Sequence, residues 1–255
     1  MTYKAIMLDV DGTLIRYDYD AVPSKKVIKA ISDAKEKITP FLVTGRAYNS
    51  TKHILDILGI TKGFVVVNGG ANVIRIETQE LVYDKYIEKQ DAEKIINELQ
   101  KRNIQFYVKV DPFESSQTYE PFKGGSVEKV YMFFCMEDYS HAQIVDFFNS
   151  ISGISNLTLH KQRHKDPSKY GFNITHGEAT KLHGIEIIMK EYGLKRHEII
   201  GVGDGYNDFP LLMASGLKVA MGNAIDELKE IADYIAPGVT DDGVADVIEK
   251  YILKS

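Results

Sequence analysis

The chain lacks the features that mark secreted and membrane proteins. Its only cysteine is Cys135, so an intramolecular disulfide is excluded and a zinc site built from cysteines is disfavoured. No apolar run approaches the roughly 20 residues that span a bilayer. Carboxylates interrupt the N-terminal apolar run too early for a signal peptide. We therefore expect a cytoplasmic protein with no membrane partner.

An excess of positive charge is also absent. The 36 acidic side chains outnumber the 31 basic ones, which gives a net charge of -5. Because proteins that bind nucleic acid usually carry a basic surface, we expect no nucleic-acid partner. The 255 residues suffice for one large domain or two modest ones, and we expect a monomer or a homodimer.

Short apolar runs alternate with amphipathic helical segments at both ends of the chain. The predicted strands in these parts cover residues 5–8, 40–43, 64–67, 198–202 and 217–221. The predicted helices cover residues 25–37, 48–58, 185–192, 211–214 and 244–252. This alternation predicts an α/β fold in which helices cover both faces of a parallel sheet.

The middle of the chain has a different pattern. Its predicted strands cover residues 81–87, 104–110, 129–136, 157–160 and 170–174. Helices are predicted at 92–101 and 141–148, so this part is expected to be an α+β domain with its own core. We therefore predict a core domain made of residues 1–81 and 177–255, with residues 82–176 inserted as a second domain.

The most informative motif is Asp9-Val10-Asp11-Gly12-Thr13, directly after the first predicted strand. Since side chains alternate along a strand, Asp9 and Asp11 can project toward the same side. In open parallel sheets the ligand crevice lies beyond the carboxyl ends of the strands, where this pair is expected. Two such carboxylates repel each other unless a cation intervenes or their protonation states differ. The alternative is a polar strand end that enters a turn.

Polar residues follow two further predicted strands. Thr44-Gly45-Arg46 offers a hydroxyl and free backbone amides, which suit a phosphoryl group, although a simple helix cap is the alternative. Asp204 and Asp208 lie four residues apart in the segment 203–208 and can approach one cation; a solvated acidic turn is the alternative. A dinucleotide-binding loop does not fit, because Tyr206 occupies the position of its third glycine.

Together these motifs resemble those of the haloacid dehalogenase superfamily, in the same order along the chain. Residues 9–14 resemble its first motif and residues 44–46 its second, while Lys181 resembles its third and residues 203–208 its fourth. Asn68-Gly69-Gly70 and residues 241–244 are similar to the Cof-type branch, and the place of the insertion is similar to class IIB members. Leu182 departs from the pattern, since many relatives have glycine after the motif lysine.

The resemblance implies a Rossmann-like three-layer α/β/α core with a parallel sheet and an inserted α+β cap. It implies Mg²⁺-dependent hydrolysis of small phosphate monoesters, sugar phosphates among them, through an aspartyl-phosphate. The implied catalytic residues are Asp9 as nucleophile, Asp11 as acid and base, and Lys181. The implied phosphoryl-binding residues are Thr44, Gly45, Lys181 and Asn207. The implied metal-binding residues are Asp9, Asp11 through its backbone carbonyl, Asp204 and Asp208.

Two other functions remain open from the sequence. A phosphomutase would use the same aspartate pair but return the phosphoryl group to a sugar. A phospho-acceptor module similar to response-regulator receivers also combines acidic residues, Thr and Lys, but Asp11 and the insertion argue against it. In the insertion, the basic stretch 160–165 is either a contact for an anionic substrate or a solvated loop.

Overall fold

The computed structural model describes residues 3–18, 20–114, 124, 127–163 and 168–254; the side chains of residues 137 and 163 are not described. Part of the predicted basic stretch, residues 164 and 165, therefore lies outside the described residues. Within the described part of the chain, no helix is both long enough and apolar enough to cross a membrane.

A five-stranded parallel sheet forms the centre of the molecule. Its strands are β1 (Ala5–Leu8), β2 (Thr39–Leu42), β12 (Ile199–Gly203), β13 (Leu217–Ala220) and β14 (Tyr234–Ile235). Their order across the sheet is β14-β13-β12-β1-β2. The predicted parallel sheet is thus confirmed. Because β1 lies between β12 and β2, the residues that follow it have strands on both sides at the carboxyl edge.

A three-stranded antiparallel sheet lies beside β2 and continues the central sheet on that side. It contains β3 (Phe64–Val67), β4 (Asn72–Arg75) and β5 (Glu80–Asp84), and a single parallel bridge from Val43 to Val66 joins it to the end of β2. The predicted strand 81–87 is wrong as one element. The chain instead leaves β5 at Asp84 and starts the short β6 (Ile87–Glu88), which pairs with β8 (Lys129–Val130) in another sheet.

Helices cover both faces of the central sheet. The helices of the first and last parts of the chain are α1 (Lys25–Ala34), α2 (Tyr48–Ile57), α5 (Lys181–Tyr192), α6 (Phe209–Met213), α7 (Asp226–Glu230) and α8 (Gly243–Ile248). Alternate residues of β1 enter different apolar clusters: Ile6 and Leu8 belong to one, Ala5 and Met7 to the other. A strand buried on both faces needs apolar residues at every position, which explains its unbroken apolar sequence.

The inserted part has its own sheet and its own apolar cluster. The sheet order is β10-β11-β9-β7, formed by β7 (Tyr107–Lys109), β9 (Met132–Tyr139), β10 (Leu157–Arg163) and β11 (Tyr170–His176). The cluster includes residues of α3 (Lys89–Lys101) and α4 (His141–Ser150). We call residues 82–176 the cap. The predicted boundary at residues 81 and 82 falls inside β5, and the division into domains stays a prediction.

Candidate active site

The predicted site residues surround a cavity of about 470 Å³ between the carboxyl edge of the central sheet and the cap sheet. Five of them line it from the core: Asp9, Asp11, Gly45, Asp204 and Asn207. Asp9 directly follows β1 and Asp204 directly follows β12, so the parallel pairing of these two strands brings the first and fourth motifs together.

Lys181 links two of the buried carboxylates. Its Nζ donates to Asp9 Oδ1 and to Asp208 Oδ1, each at 2.5 Å. All three side chains are almost fully buried. Burial and the neighbouring Asp208 raise the pKa of Asp9 against the opposing effect of Lys181. Burial alone would lower the pKa of Lys181, but Asp208 and Asp9 together raise it, so its ammonium stays charged.

Asp208 also holds the loop that carries Asp204. Its Oδ2 accepts hydrogen bonds from the backbone N–H of Asp204 at 2.9 Å and of Gly205 at 2.8 Å. These bonds satisfy one carboxylate oxygen, while the other accepts from Lys181. Asp208 therefore fixes the positions of its neighbours. Burial and Asp208 together raise the pKa of Asp204 to about 7.

Gly12 allows Asp204 to approach the first motif. Its φ is +85°, and a Cβ there would lie 2.4 Å from Asp204 Oδ2. Glycine alone combines this backbone conformation with the required space. Thr13 Oγ1 donates to Asp204 Oδ1 at 3.3 Å, and the hydroxyl of the largely exposed Tyr17 donates to Asp204 Oδ2 at 2.5 Å. Gly12 thus allows the segment that carries Asp204 to pack closely against the first motif.

Asp11 points away from this buried group and pairs with Arg46. Arg46 Nε lies 2.8 Å from Asp11 Oδ2, and Nη2 lies 2.6 Å from Oδ1. The Asp11 side chain remains 33% exposed, whereas the Asp9 side chain is 7% exposed. The two carboxylates of the first motif therefore have separate partners and separate environments.

Only some of the predicted phosphoryl-binding residues line the cavity. Gly45 and Asn207 line it. Thr44 is fully buried at the end of β2, where its Oγ1 accepts a hydrogen bond from the backbone N–H of Arg46 at 3.1 Å. Thr44 thus shapes the turn that presents the backbone of Gly45.

The Asn68-Gly69-Gly70 turn supports the start of α5. Gly70 has φ +105°, and a Cβ on it would lie 2.0 Å from the carbonyl oxygen of Thr180 and 2.7 Å from the backbone nitrogen of Lys181. Any larger residue would displace this backbone. The turn therefore sets the position from which Lys181 reaches Asp9.

Three carboxylates are arranged so that they can share one cation. Ligand oxygens of Asp9, Asp204 and Asp208 lie within 4.8 Å of one another. Asp11 is predicted at the metal through its backbone carbonyl, and its carboxylate is not in this group. An all-oxygen donor set suits hard divalent cations such as Mg²⁺, and a cation would offset the repulsion within the group.

Several residues around the cavity were not predicted from the sequence. Tyr17 and Arg46 belong to segments that the motifs bring to the site, but neither had an assigned role. Lys109 and Asn173 come from cap strands and also line the cavity. His160 lines it too; it belongs to the basic stretch 160–165, whose described part, 160–163, lies in strand β10 rather than in a loop. Strand alternation would have placed His160 and Gln162 on one face, but it could not show which face meets the core.

Comparisons with known proteins agree with this geometry. A family profile described as haloacid dehalogenase-like hydrolase matches residues 6–248. Phosphoglycolate phosphatase 1 of Saccharolobus solfataricus is 28% identical over 98% of this chain and 96% of its own. The 5-amino-6-(5-phospho-D-ribitylamino)uracil phosphatase YcsE of Bacillus subtilis is 25% identical, over 98% of this chain and 96% of its own.

Solved structures share the whole fold. A haloacid dehalogenase-like hydrolase from B. subtilis aligns with a TM-score of 0.79 at 23% identity, over 97% of this chain and 99% of its own. A sugar phosphatase described as HAD subclass IIB aligns with a TM-score of 0.77 at 19% identity, over 97% and 98% of the two chains. The predicted α/β core with a class IIB fold is thereby confirmed. Since the family profile spans the central sheet and the cap alike, the chain belongs to the haloacid dehalogenase-like hydrolases.

Proposed function

We propose that the protein is a Mg²⁺-dependent phosphatase of small phosphate monoesters, sugar phosphates among them. The observation that carries this proposal is the Asp9 carboxylate at the floor of the cavity, held by Lys181 beside two more buried carboxylates. The curated relatives are named as phosphatases, which supports the same reaction class.

The reaction proceeds in two displacements. An oxygen of Asp9 attacks phosphorus in line with the ester oxygen, forming an aspartyl-phosphate, while Asp11 gives a proton to the leaving alcohol. Water then attacks the phosphorus of the aspartyl-phosphate and loses a proton to Asp11. Inorganic phosphate leaves and the Asp9 carboxylate is restored.

The remaining residues position and neutralise the phosphoryl group. Lys181 holds Asp9 and offsets charge as it develops on the phosphoryl oxygens. Gly45 and Asn207 line the same cavity, while Thr44 orders the turn. Mg²⁺ would be held by Asp9, Asp204 and the backbone carbonyl of Asp11, with Asp208 beside it, and supplies Lewis-acid stabilisation of phosphoryl charge.

Phosphate release from a panel of esters tests the proposal. The panel contains p-nitrophenyl phosphate, hexose and pentose phosphates and glycerol 3-phosphate, each assayed with Mg²⁺ and with EDTA. We expect Asp9→Asn to lower turnover by about 10⁴-fold or more, as loss of a covalent nucleophile does. Asp33→Asn, on the exposed face of α1, is the matched control and should keep full activity.

The alternatives predict different results. Transfer of the phosphoryl group to an added sugar, without net phosphate release, would replace the hydrolase with a mutase. A folded wild-type protein that releases no phosphate from any ester in Mg²⁺ would overturn the proposal.

A further inference from the structure

The cap sheet has two chemically different faces. Phe133, Cys135 and Phe172 lie on one face and belong to the apolar cluster of the cap. Their neighbours on the opposite face, Phe134 and Asn173, line the cavity above the predicted catalytic residues. Because strand side chains alternate, one face of this sheet packs into the core of the cap and the other covers the cavity. We call the cavity-facing residues of the cap sheet, which include Lys109, Met132, Phe134, His160 and Asn173, the roof.

Residues from four strands meet on the roof. Asn173 of β11 is paired with His160 of β10 on one side and with Phe134 of β9 on the other. Lys109 of β7 is paired with Met132, two residues before Phe134 on the same face of β9. Directly paired residues of an antiparallel sheet place their side chains on the same side. The roof thus joins an apolar surface with polar side chains, Lys109, His160, Gln162 and Asn173 among them.

Lys109 supplies a positive charge that forms no ion pair with a carboxylate in the described part of the chain. Its Nζ donates to Asn68 Oδ1 at 2.9 Å and to the carbonyl of Gly45 at 3.5 Å, and lies 5.2 Å from the centre of the Phe134 ring. Burial alone lowers its pKa to about 8, so most of it is charged at neutral pH. A cation surrounded by neutral groups is costly unless an anion joins it.

Asn173 supplies an acceptor with no donor. The residue is only 7% exposed, and its Oδ1 makes no hydrogen bond with any described residue. Such buried polar atoms are normally satisfied. His160 lies beside it, and burial together with Lys181 lowers the pKa of its imidazole to about 4, so the ring is neutral. A hydroxyl on a bound molecule would satisfy Asn173 and contact a neutral ring.

We propose that this roof binds the alcohol part of the substrate, with Lys109 pairing with a carboxylate and Asn173 accepting a hydrogen bond from a hydroxyl. The substrate class is then the phosphate monoesters of small hydroxy acids. This inference rests on the proposed phosphatase function, because it requires the phosphoryl group at Asp9.

The phosphoryl group itself does not account for Lys109. Lys181, which is buried and donates to Asp9, already provides the cation beside the proposed nucleophile. The Nζ of Lys109 instead contacts Asn68 Oδ1 and the Gly45 carbonyl, and in the described residues it forms no ion pair with Asp9, Asp204 or Asp208. The two ammonium groups thus have different partners, and the proposal assigns Lys109 to an anion other than the phosphoryl group.

Three matched esters test the proposed roles of Lys109 and Asn173 separately. 3-Phosphoglycerate has a carboxylate and a hydroxyl, glycerol 3-phosphate replaces the carboxylate with a hydroxymethyl group, and 2-phosphoglycolate keeps the carboxylate without a hydroxyl. We expect wild type to prefer 3-phosphoglycerate to glycerol 3-phosphate in kcat/KM. Lys109→Met should lower kcat/KM about 100-fold for the two carboxylates, as loss of a charged hydrogen bond does, and less than about threefold for glycerol 3-phosphate. Lys109→Arg should retain most of the preference.

Asn173→Ala tests the proposed hydrogen bond from a substrate hydroxyl to Asn173. It should lower kcat/KM for 3-phosphoglycerate by about tenfold, the usual scale for a hydrogen bond to a neutral partner, and leave 2-phosphoglycolate within about twofold. Lys94→Met, on the solvent side of α3, is the control for loss of a cap lysine and should change nothing.

The outcomes distinguish the inference from the proposed function. Equal losses on all three esters in Lys109→Met would make Lys109 a support for the cap or the phosphoryl group, and would overturn the inference alone. So would a wild-type enzyme that hydrolyses glycerol 3-phosphate better than 3-phosphoglycerate. Failure of wild type on every ester, p-nitrophenyl phosphate included, would instead overturn the proposed function.

Discussion

Arg46 and Asp11 form an ion pair across the mouth of the cavity, with Nη2 of the guanidinium 2.6 Å from Oδ1 of the carboxylate. The pair joins the second motif to the first. It fixes the direction of the group proposed to give and take the proton, while leaving that group in contact with the cavity.

Removing Arg46 should therefore affect leaving groups unequally. We expect Arg46→Gln to lower kcat about 10- to 100-fold for glycerol 3-phosphate, whose alkoxide needs a proton, because a mispositioned acid loses much of its effect. p-Nitrophenyl phosphate, whose leaving group needs no proton, should lose less than about threefold. Equal losses on both esters would show that Arg46 serves binding rather than proton transfer.

Gly70→Ala should damage the site from outside the cavity. A methyl group there collides with the backbone of Thr180, and the positive φ adds strain of about 1–3 kcal/mol. The melting temperature should fall by several degrees. Turnover should fall by up to about 100-fold because Lys181 moves with the backbone, and a shift of about 1 Å has that effect.

Gly153→Ala provides the comparison for Gly70. A Cβ on Gly153 meets no atom within 4 Å, so this variant should melt and turn over like wild type. Unchanged kinetics in a folded Gly70→Ala protein would show that the turn does not position Lys181.

Mg²⁺ should stabilise the protein through the three carboxylates. At a concentration 100 times its dissociation constant, a ligand that binds only the folded state adds about 2.7 kcal/mol. For a chain of this length that corresponds to a rise in melting temperature of about 5–10 °C. Asp204→Asn should remove most of the rise, since it removes a charged ligand oxygen.

The matched control for that measurement is Asp226→Asn. Asp226 is an exposed residue of α7, and the variant should keep the full effect of Mg²⁺. A rise of the same size in Asp204→Asn would exclude the proposed metal site.

The preference for carboxylate esters should depend on pH through Lys109. The ammonium is charged below its pKa of about 8, so the preference should be present at neutral pH and decline as the pH rises through that value. The groups that contact the ammonium are the uncharged Gly45, Asn68 and Phe134, which makes Lys109 the titrating group there.

The measurement is the ratio of kcat/KM for 3-phosphoglycerate to that for glycerol 3-phosphate. It should fall about tenfold per pH unit well above the pKa, as loss of one proton requires. In Lys109→Arg the ratio should stay constant, because a guanidinium keeps its charge. A ratio independent of pH in wild type would exclude Lys109 from recognition.

The parallel core could be predicted because local patterns and long-range pairing agree there. The run before Asp9 is apolar at every position, since both faces of β1 are covered, and the acidic motif marks its end. The predicted strand at 81–87 was wrong because β5 and β6 are joined through Lys85 and Tyr86, two residues that do not break the pattern of the sequence.

The roof of the cavity could not be predicted for a related reason. Residues 130–136 are almost all apolar, so alternation does not show which of Phe133 and Phe134 faces the cavity. Only the packing of α3 and α4 on one side of the sheet decides this. Lys109 and Asn173 lie in no motif. In the described part of the chain, Lys109 forms no ion pair and Asn173 Oδ1 accepts no hydrogen bond, and only the structure shows this.

The two-faced cap sheet has a consequence for how this protein can diversify. Met132, Phe134 and Met136 of β9 and Asn173 of β11 line the cavity and lie outside the hydrophobic cluster of the cap. Mutational drift at those positions alters which alcohol is accepted, while the chemistry below stays intact. Under the proposed function, a gene duplicate of this chain could therefore come to accept a new metabolite through a few single-codon changes outside the hydrophobic cluster of the cap.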